Sequence, residues 1–133
     1  MQILNTITLI LVFFLLFYVV SALTSKFLAR QRATVLKADA FIEKQQELHG
    51  QLIDVREKQP FKRSHLRGAR NMPAMTFSQG KSGLRQDIPV FVYGDTLANA
   101  LGVAKRLRKE GFSKSNLYLM AGGFRQYTAR KNR

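Results

Sequence analysis

From Ile3 to Leu23 the chain reads ILNTITLILVFFLLFYVVSAL, without one charged side chain. Coiled as a helix at about 1.5 Å per residue, such a run crosses roughly the 30 Å hydrocarbon core of a bilayer, so it predicts a single N-terminal transmembrane helix. Asn5, Thr6 and Thr8 fall near one end and Tyr18 near the other, where polar and amphipathic side chains tolerate the interface. The competing reading is a cleaved signal peptide, because Val20-Ser21-Ala22 resembles a small-residue cleavage site. Against it, no Lys or Arg precedes the run, and the run is longer than a usual signal core. The flanks set the orientation. Nothing basic comes before the helix, whereas Lys26, Arg30, Arg32 and Lys37 follow it, which predicts a single-pass membrane protein with its C-terminal part in the cytoplasm. The same basic collar suits anionic headgroups, at about 1 kcal/mol per residue close to the surface.

The whole chain has 133 residues, enough for one compact domain and a short appendage but not for two ordinary domains. We divide it into an anchor over 1–25, a basic segment over 26–34 that is a linker or a helical continuation of the anchor, and a domain over 35–133. Lys and Arg number 22 against 8 Asp and Glu, a net charge of +14, and none of these residues precedes Lys26. A field of that sign attracts lipid headgroups, nucleic acid or acidic proteins without choosing among them. The cysteine count is zero, which excludes disulfides, thiolate metal sites and cysteine nucleophiles whatever the fold.

Beyond the basic segment the pattern alternates. Val35-Leu36 is a short strand candidate, and Asp39 is a plausible N-cap for an amphipathic helix through Phe41, Ile42 and Leu48 that stops at Gly50. Gln51–Val55 and Pro89–Tyr93 are short apolar runs that predict buried strands, the second opened by a proline where a strand tolerates it. Leu97, Ala100, Leu101, Ala104 and Leu107 recur at helical spacing; Gly111 stands where a C′ glycine belongs, with Phe112 able to pack back on the last turn. Asn116–Met120 predicts one more strand, followed by Gly122-Gly123 and a short helix through Tyr127. This alternation predicts an α/β fold, a mostly parallel sheet flanked by helices on both faces. Ligands in such sheets bind beyond the carboxyl ends of the strands, here the segments after Val55 and Tyr93.

Four segments together resemble the rhodanese-like domain family: LIDVRE at 52–57, PFKRSHLRGARNMP at 60–73, VFVYGDTLANALGVAKRLRKEGF at 90–112 and LYLMAGGFRQY at 117–127. The resemblance covers roughly residues 35–128; no piece is unique, but their order and spacing are specific. It implies that the strand ending at Tyr93 leads into the family's active-site loop, whose cysteine starts a six-residue turn that cradles a persulfide or oxyanion. In this chain that loop is Gly94, Asp95, Thr96, Leu97, Ala98 and Asn99, and the cysteine position is Gly94. The spacing to Gly111-Phe112 is the family's, so the frame is intact and the nucleophile substituted. The family's loop glycine, arginine and serine fall on Leu97, Asn99 and Ala100.

The residues themselves agree. Asp95 is well placed as an N-cap that would occupy the N–H groups an anion otherwise uses, and its charge would repel that anion. Thr96 is a hydroxyl without an adjacent base, better read as a turn or cap residue than as a nucleophile. Asp54 and Arg56 match the family's Asp-Val-Arg at the pocket mouth, and the plainer reading is an ion pair that holds the strand end. His65 matches a largely structural family histidine; with His49 it lacks ligand spacing, so we expect no metal and no cofactor. Lys62, Arg63, Arg67, Arg70 and the run Lys105 to Lys109 form a basic surface. Without aromatic interleaving it supports only salt-sensitive contact, so specific nucleic-acid binding is not expected and anionic headgroups are the simpler partner, with an unidentified protein partner besides. The expectation is a catalytically inactive binding or scaffold domain on the cytoplasmic face of the membrane. The alternative is a sulfurtransferase-related enzyme that uses a non-cysteine residue or a partner's thiol.

Overall fold

The computed structural model describes residues 1–132, so Arg133, the last residue of the expected domain, lies outside the described residues. Helix α1 runs unbroken from Gln2 to Arg32 and is the one described helix long and apolar enough to cross a membrane. Its residues up to Thr24 are exposed. The segment 26–34 is therefore not a linker: it stays helical through Arg32, and Ala29 and Ala33, 0% and 1% exposed, belong to the core of the domain.

After the extended Ala33 come β1 (Thr34–Leu36), α2 (Ala38–Leu48), β2 (Gln51–Asp54), α3 (Lys58–Arg63), β3 (Arg70–Asn71), β4 (Val90–Tyr93), α4 (Leu97–Glu110), β5 (Leu117–Met120) and α5 (Gly123–Lys131). The strands form one five-stranded sheet in the order β1-β5-β4-β2-β3, every pair parallel. The two-residue β3 and the short α3 are too brief to show a hydrophobic period, so the residue pattern gives no sign of either.

Strand alternation divides the core into two layers. Val90 and Val92 face α4 and the end of α1, with Ala100, Val103, Ala104 and Leu107 packed on them. Phe91 and Tyr93 face the other way, against Phe41 of α2 and Phe124 of α5. Phe41 meets both rings edge-on, at centroid distances of 5.4 and 6.4 Å. Both faces are thus covered, as the apolar strand runs required.

Two helix boundaries differ from expectation. Lys37, not Asp39, occupies the N-cap of α2; Asp39 sits in the first turn, where its charge suits the helix dipole, and pairs with Arg130 at 2.8 Å. The helix ends at Leu48, and His49 takes the left-handed position (φ 50°) that Gly50 was expected to supply. Gly50 is needed for a different reason: the Phe91 ring lies where its Cβ would be. At α4 the expectation holds: Gly111 has φ 114° and the Phe112 N–H returns to the Leu107 carbonyl at 3.1 Å.

Candidate functional site

Strands β2 and β4 lie side by side with Asp54 opposite Tyr93, so the segments leaving them diverge and frame a depression of about 830 Å³. Val55, Arg56 and Glu57 follow β2; Pro60, Arg63 and Ser64 come from the α3 region; Asp95, Thr96 and Asn99 follow β4; Phe124, Arg125 and Thr128 come from α5, and Ala74 closes one side. This is the position that parallel α/β sheets use for ligands.

Asp54 is fully buried and its carboxylate is saturated. Arg56 donates to it from the backbone N–H (2.9 Å to Oδ1), from Nε (3.1 Å to each oxygen) and from Nη2 (2.8 Å to Oδ2). Arg56 Nη2 also donates to the Ser64 carbonyl at 2.6 Å, and its guanidinium lies 4.1 Å from the centroid of the Phe124 ring. Burial works against the charge on Arg56, but the bond to Asp54 and its negative charge outweigh that, leaving the guanidinium above its ordinary value. The pair is a brace that ties the end of β2 to the α3 loop and to α5. Tyr93 extends it, accepting the Leu66 N–H at 3.0 Å, and burial pushes its phenol above the usual range.

The loop after β4 is closed from within. Thr96, not Asp95, is the N-cap of α4, and Asn99 completes a capping box by accepting from the Thr96 N–H and Oγ, both at 3.0 Å. Asp95 points outward and accepts from Arg125 Nη2 at 2.8 Å, so its charge is matched rather than turned on the helix start. The expected Asp95 cap is thereby corrected. Thr96 Oγ, bonded to an amide oxygen, has no activating base among its bonded partners. Gly94 is buried, and a Cβ placed on it would stand 2.6 Å from Asn99 Cβ and 3.2 Å from Val55 Cγ2. Carbon atoms in contact settle at about 3.5–4.0 Å, so the capping residue Asn99 occupies the space a side chain at position 94 requires.

The double glycine completes the closure. Gly123, at φ 67°, sets its Cα against the Asp95 carbonyl so closely that a Cβ has no room there. From that start, the Phe124 N–H donates to the Gly94 carbonyl (2.9 Å) and the Arg125 N–H to the Asp95 carbonyl (3.2 Å). Sequence reasoning assigned Gly94 to Asn99 to the loop and Asp54 and Arg56 to the pocket mouth; of these Arg56, Asp95, Thr96 and Asn99 line the depression, whereas Asp54 and Gly94 are buried behind it. Leu97 is half-buried on the core side and Ala98 is exposed outside the lining. It missed Phe124, Arg125 and Thr128, although a double glycine directly after a strand end was the signal that could have pointed to them.

The basic residues do not form one patch. Arg63 lines the depression, Arg67 lines a separate groove between α2 and α5, Lys62 is exposed on α3 and Arg70 on the edge strand β3. His65 stacks on Phe61 at 3.8 Å, with Nδ1 2.7 Å from the Phe61 carbonyl. Among the described residues no group of three or more His, Asp or Glu side chains is gathered for a metal, and every buried side-chain nitrogen and oxygen has a partner.

The profile of the Rhodanese-like domain family matches residues 37–130. An uncharacterized protein of Bacillus subtilis (strain 168), YqhL, is 39% identical over 77 residues, which make up 58% of this chain and 60% of that protein. The chain thus spans less than two thirds of that relative. A rhodanese-related protein from Thermoplasma volcanium superposes with a TM-score of 0.62 at 16% identity, over 73% of this chain and 92% of that one. The reduced Bacillus anthracis CoADR-RHD gives 0.62 at 22% identity, over 73% of this chain and 17% of that one. The Rhodanese-like domain protein from Staphylococcus aureus gives 0.60 at 16%, over 69% and 88%. These likenesses are of fold, and together with the profile match over most of the domain they establish that the chain belongs to the rhodanese-like domain family.

Proposed function

We propose that this rhodanese-like domain is a non-catalytic binding or scaffold module, tethered by α1 to the cytoplasmic face of a membrane. The observation that carries the reading is at Gly94. The chain has no cysteine, and the position that resembles the family's nucleophile has no room for a Cβ because Asn99 fills it while capping α4. A thiolate is the nucleophile in sulfur transfer, and neither it nor an activated hydroxyl stands in the depression.

The tether is supported by the length of α1, 31 residues, by its uncharged run through Leu23, and by the flanks. Lys26, Arg30 and Lys37 are exposed after the apolar run and residues 1–25 carry no basic side chain, a charge asymmetry that supports a cytoplasmic domain. Arg32 is diverted from this collar: its guanidinium bonds the Leu101 carbonyl. The other three are free to meet anionic headgroups.

Purified full-length protein in detergent, given thiosulfate and cyanide, should form thiocyanate no faster than a protein-free control. Turnover that stays with the protein through a second, orthogonal purification contradicts the non-catalytic reading. Fusing a reporter to each end, active only in the cytoplasm, tests the orientation; signal from the N-terminal fusion alone contradicts it.

A further inference from the structure

Which end of the domain faces the bilayer follows from how α1 is packed. Ala33 leads directly into β1, and Thr34 pairs with Tyr118 of β5, which pairs with Phe91 of β4. The end of α1 therefore lies beside the entry half of the sheet. Helix α4 starts at the opposite end, after Tyr93, and descends past it. Arg32 Nη1 nevertheless reaches the carbonyl of Leu101, in the second turn of α4, at 3.5 Å. Side chains on a helix lean toward that helix's own N-terminus. For Arg32 to lean toward the start of α4, the N-terminus of α1 must point toward the start of α4 as well.

The burial along α1 agrees. Ala29 is fully buried, Leu28 packs against the same cluster, and Ser25 is still half-buried, so α1 stays against the domain for about two turns before Arg32, packed on both α4 and β1. From Arg32 to Ser25 the helix rises about 10 Å at about 1.5 Å per residue, which brings Ser25 level with the first turn of α4. The uncharged run begins at Leu23, immediately beyond. The span thus leaves the domain at the end of the sheet that carries the depression.

We propose that this end docks on the membrane, with the depression opening onto anionic phospholipid headgroups. Lys58, Lys62 and Arg63 of α3 lie at this end, and none of them is in an ion pair among the described residues. Met75, 68% exposed next to the pocket-lining Ala74, is the one large apolar side chain outside α1 that is open to solvent among the described residues. Basic residues such as Lys109 and Lys114 stand at the other end too, so charge alone does not choose; the direction of α1 does. The proposal rests on the tether reading and adds to it a fixed orientation, because no flexible segment separates span from domain.

The absence of cysteine makes the test direct. Leu16→Cys, Lys62→Cys, Met75→Cys and Ser113→Cys, each labelled with a fluorophore, are made in the full-length protein and reconstituted into phosphatidylcholine vesicles with or without phosphatidylglycerol. Nitroxides on the acyl chain or at the headgroup serve as quenchers. The label at position 16 should be quenched by the acyl-chain nitroxide, which checks the tether alone. Labels at 62 and 75 should be quenched by the headgroup nitroxide several-fold more than the label at 113, at the opposite end. Quenching at 75 should be stronger with phosphatidylglycerol, and Lys58→Glu with Arg63→Glu should remove that difference. Equal or stronger quenching at 113 overturns the orientation, and no dependence on phosphatidylglycerol overturns the headgroup contact. An unquenched label at 16 overturns the tether itself.

Discussion

Adding a single methyl group at Gly94 measures how far the family's nucleophile position has been closed. The Cβ of Gly94→Ala would lie 2.6 Å from Asn99 Cβ, about 1 Å inside ordinary carbon contact, and 3.2 Å from Val55 Cγ2. Asn99 Cβ is fixed to the first turn of α4, so relief requires the helix start or the strand end to move rather than a rotamer to change. Overpacking of this kind costs about 1–3 kcal/mol. Asn99→Gly removes the obstructing carbon, at the cost of its bonds to Thr96 and of helix propensity, about 1–2 kcal/mol in all. In the double variant the overlap vanishes, so the two changes together should cost less than their sum by about 1–2 kcal/mol. Urea midpoints of the four proteins in one detergent, followed by tyrosine fluorescence, give the cycle. A Gly94→Ala protein within about 0.5 kcal/mol of the parent, or additive single effects, would refute the claim that Asn99 fills the site. If the cycle behaves as stated, Gly94→Cys alone cannot restore an active-site loop, whereas Gly94→Cys with Asn99→Gly at least has the space for the thiol.

Two further substitutions test the brace behind the depression. Asp54→Ala leaves Arg56 buried without its carboxylate and should destabilise the domain by about 3–5 kcal/mol, seen as a lowered denaturation midpoint; a loss under about 1 kcal/mol contradicts its role. The raised folded pKa of Tyr93 has a definite sign: below the ordinary phenol value of 10.0 the contribution is complete, and it is lost as pH rises through the folded value, because the unfolded chain releases its proton first. Stability should therefore fall above about pH 10, and Tyr93→Phe should lower the midpoint at pH 8 but shallow that alkaline fall; identical slopes for parent and variant contradict the assignment.

The long apolar N-terminal helix and most of the domain were legible in the residues. An uncharged run long enough to cross a bilayer needs no tertiary context, and the apolar strands and the helical spacing of Leu97 to Leu107 carry their own periodicity. The resemblance placed Gly94 at the head of the loop, so the loss of the thiol was a matter of reading. Capping was less legible. Asp95 and Thr96 are both good N-cap residues, and the choice fell to Thr96 because Asn99 lies within reach and Arg125, thirty residues away in sequence, draws Asp95 outward. Likewise Asp39 found Arg130, and Gly50 answers to the Phe91 ring rather than to a helix end. Pairings between distant segments leave no local pattern.

By itself, then, the sequence determined that an apolar helix precedes a basic, cysteine-free α/β domain of this family, because hydropathy, periodicity and composition are properties of neighbouring residues. Only the tertiary structure decided that the helix enters the core without a break and that Asn99 fills the space beside Gly94. Those are outcomes of packing between segments far apart in the chain: a carbon meets another carbon, or an arginine a carbonyl, only after the sheet has brought them together.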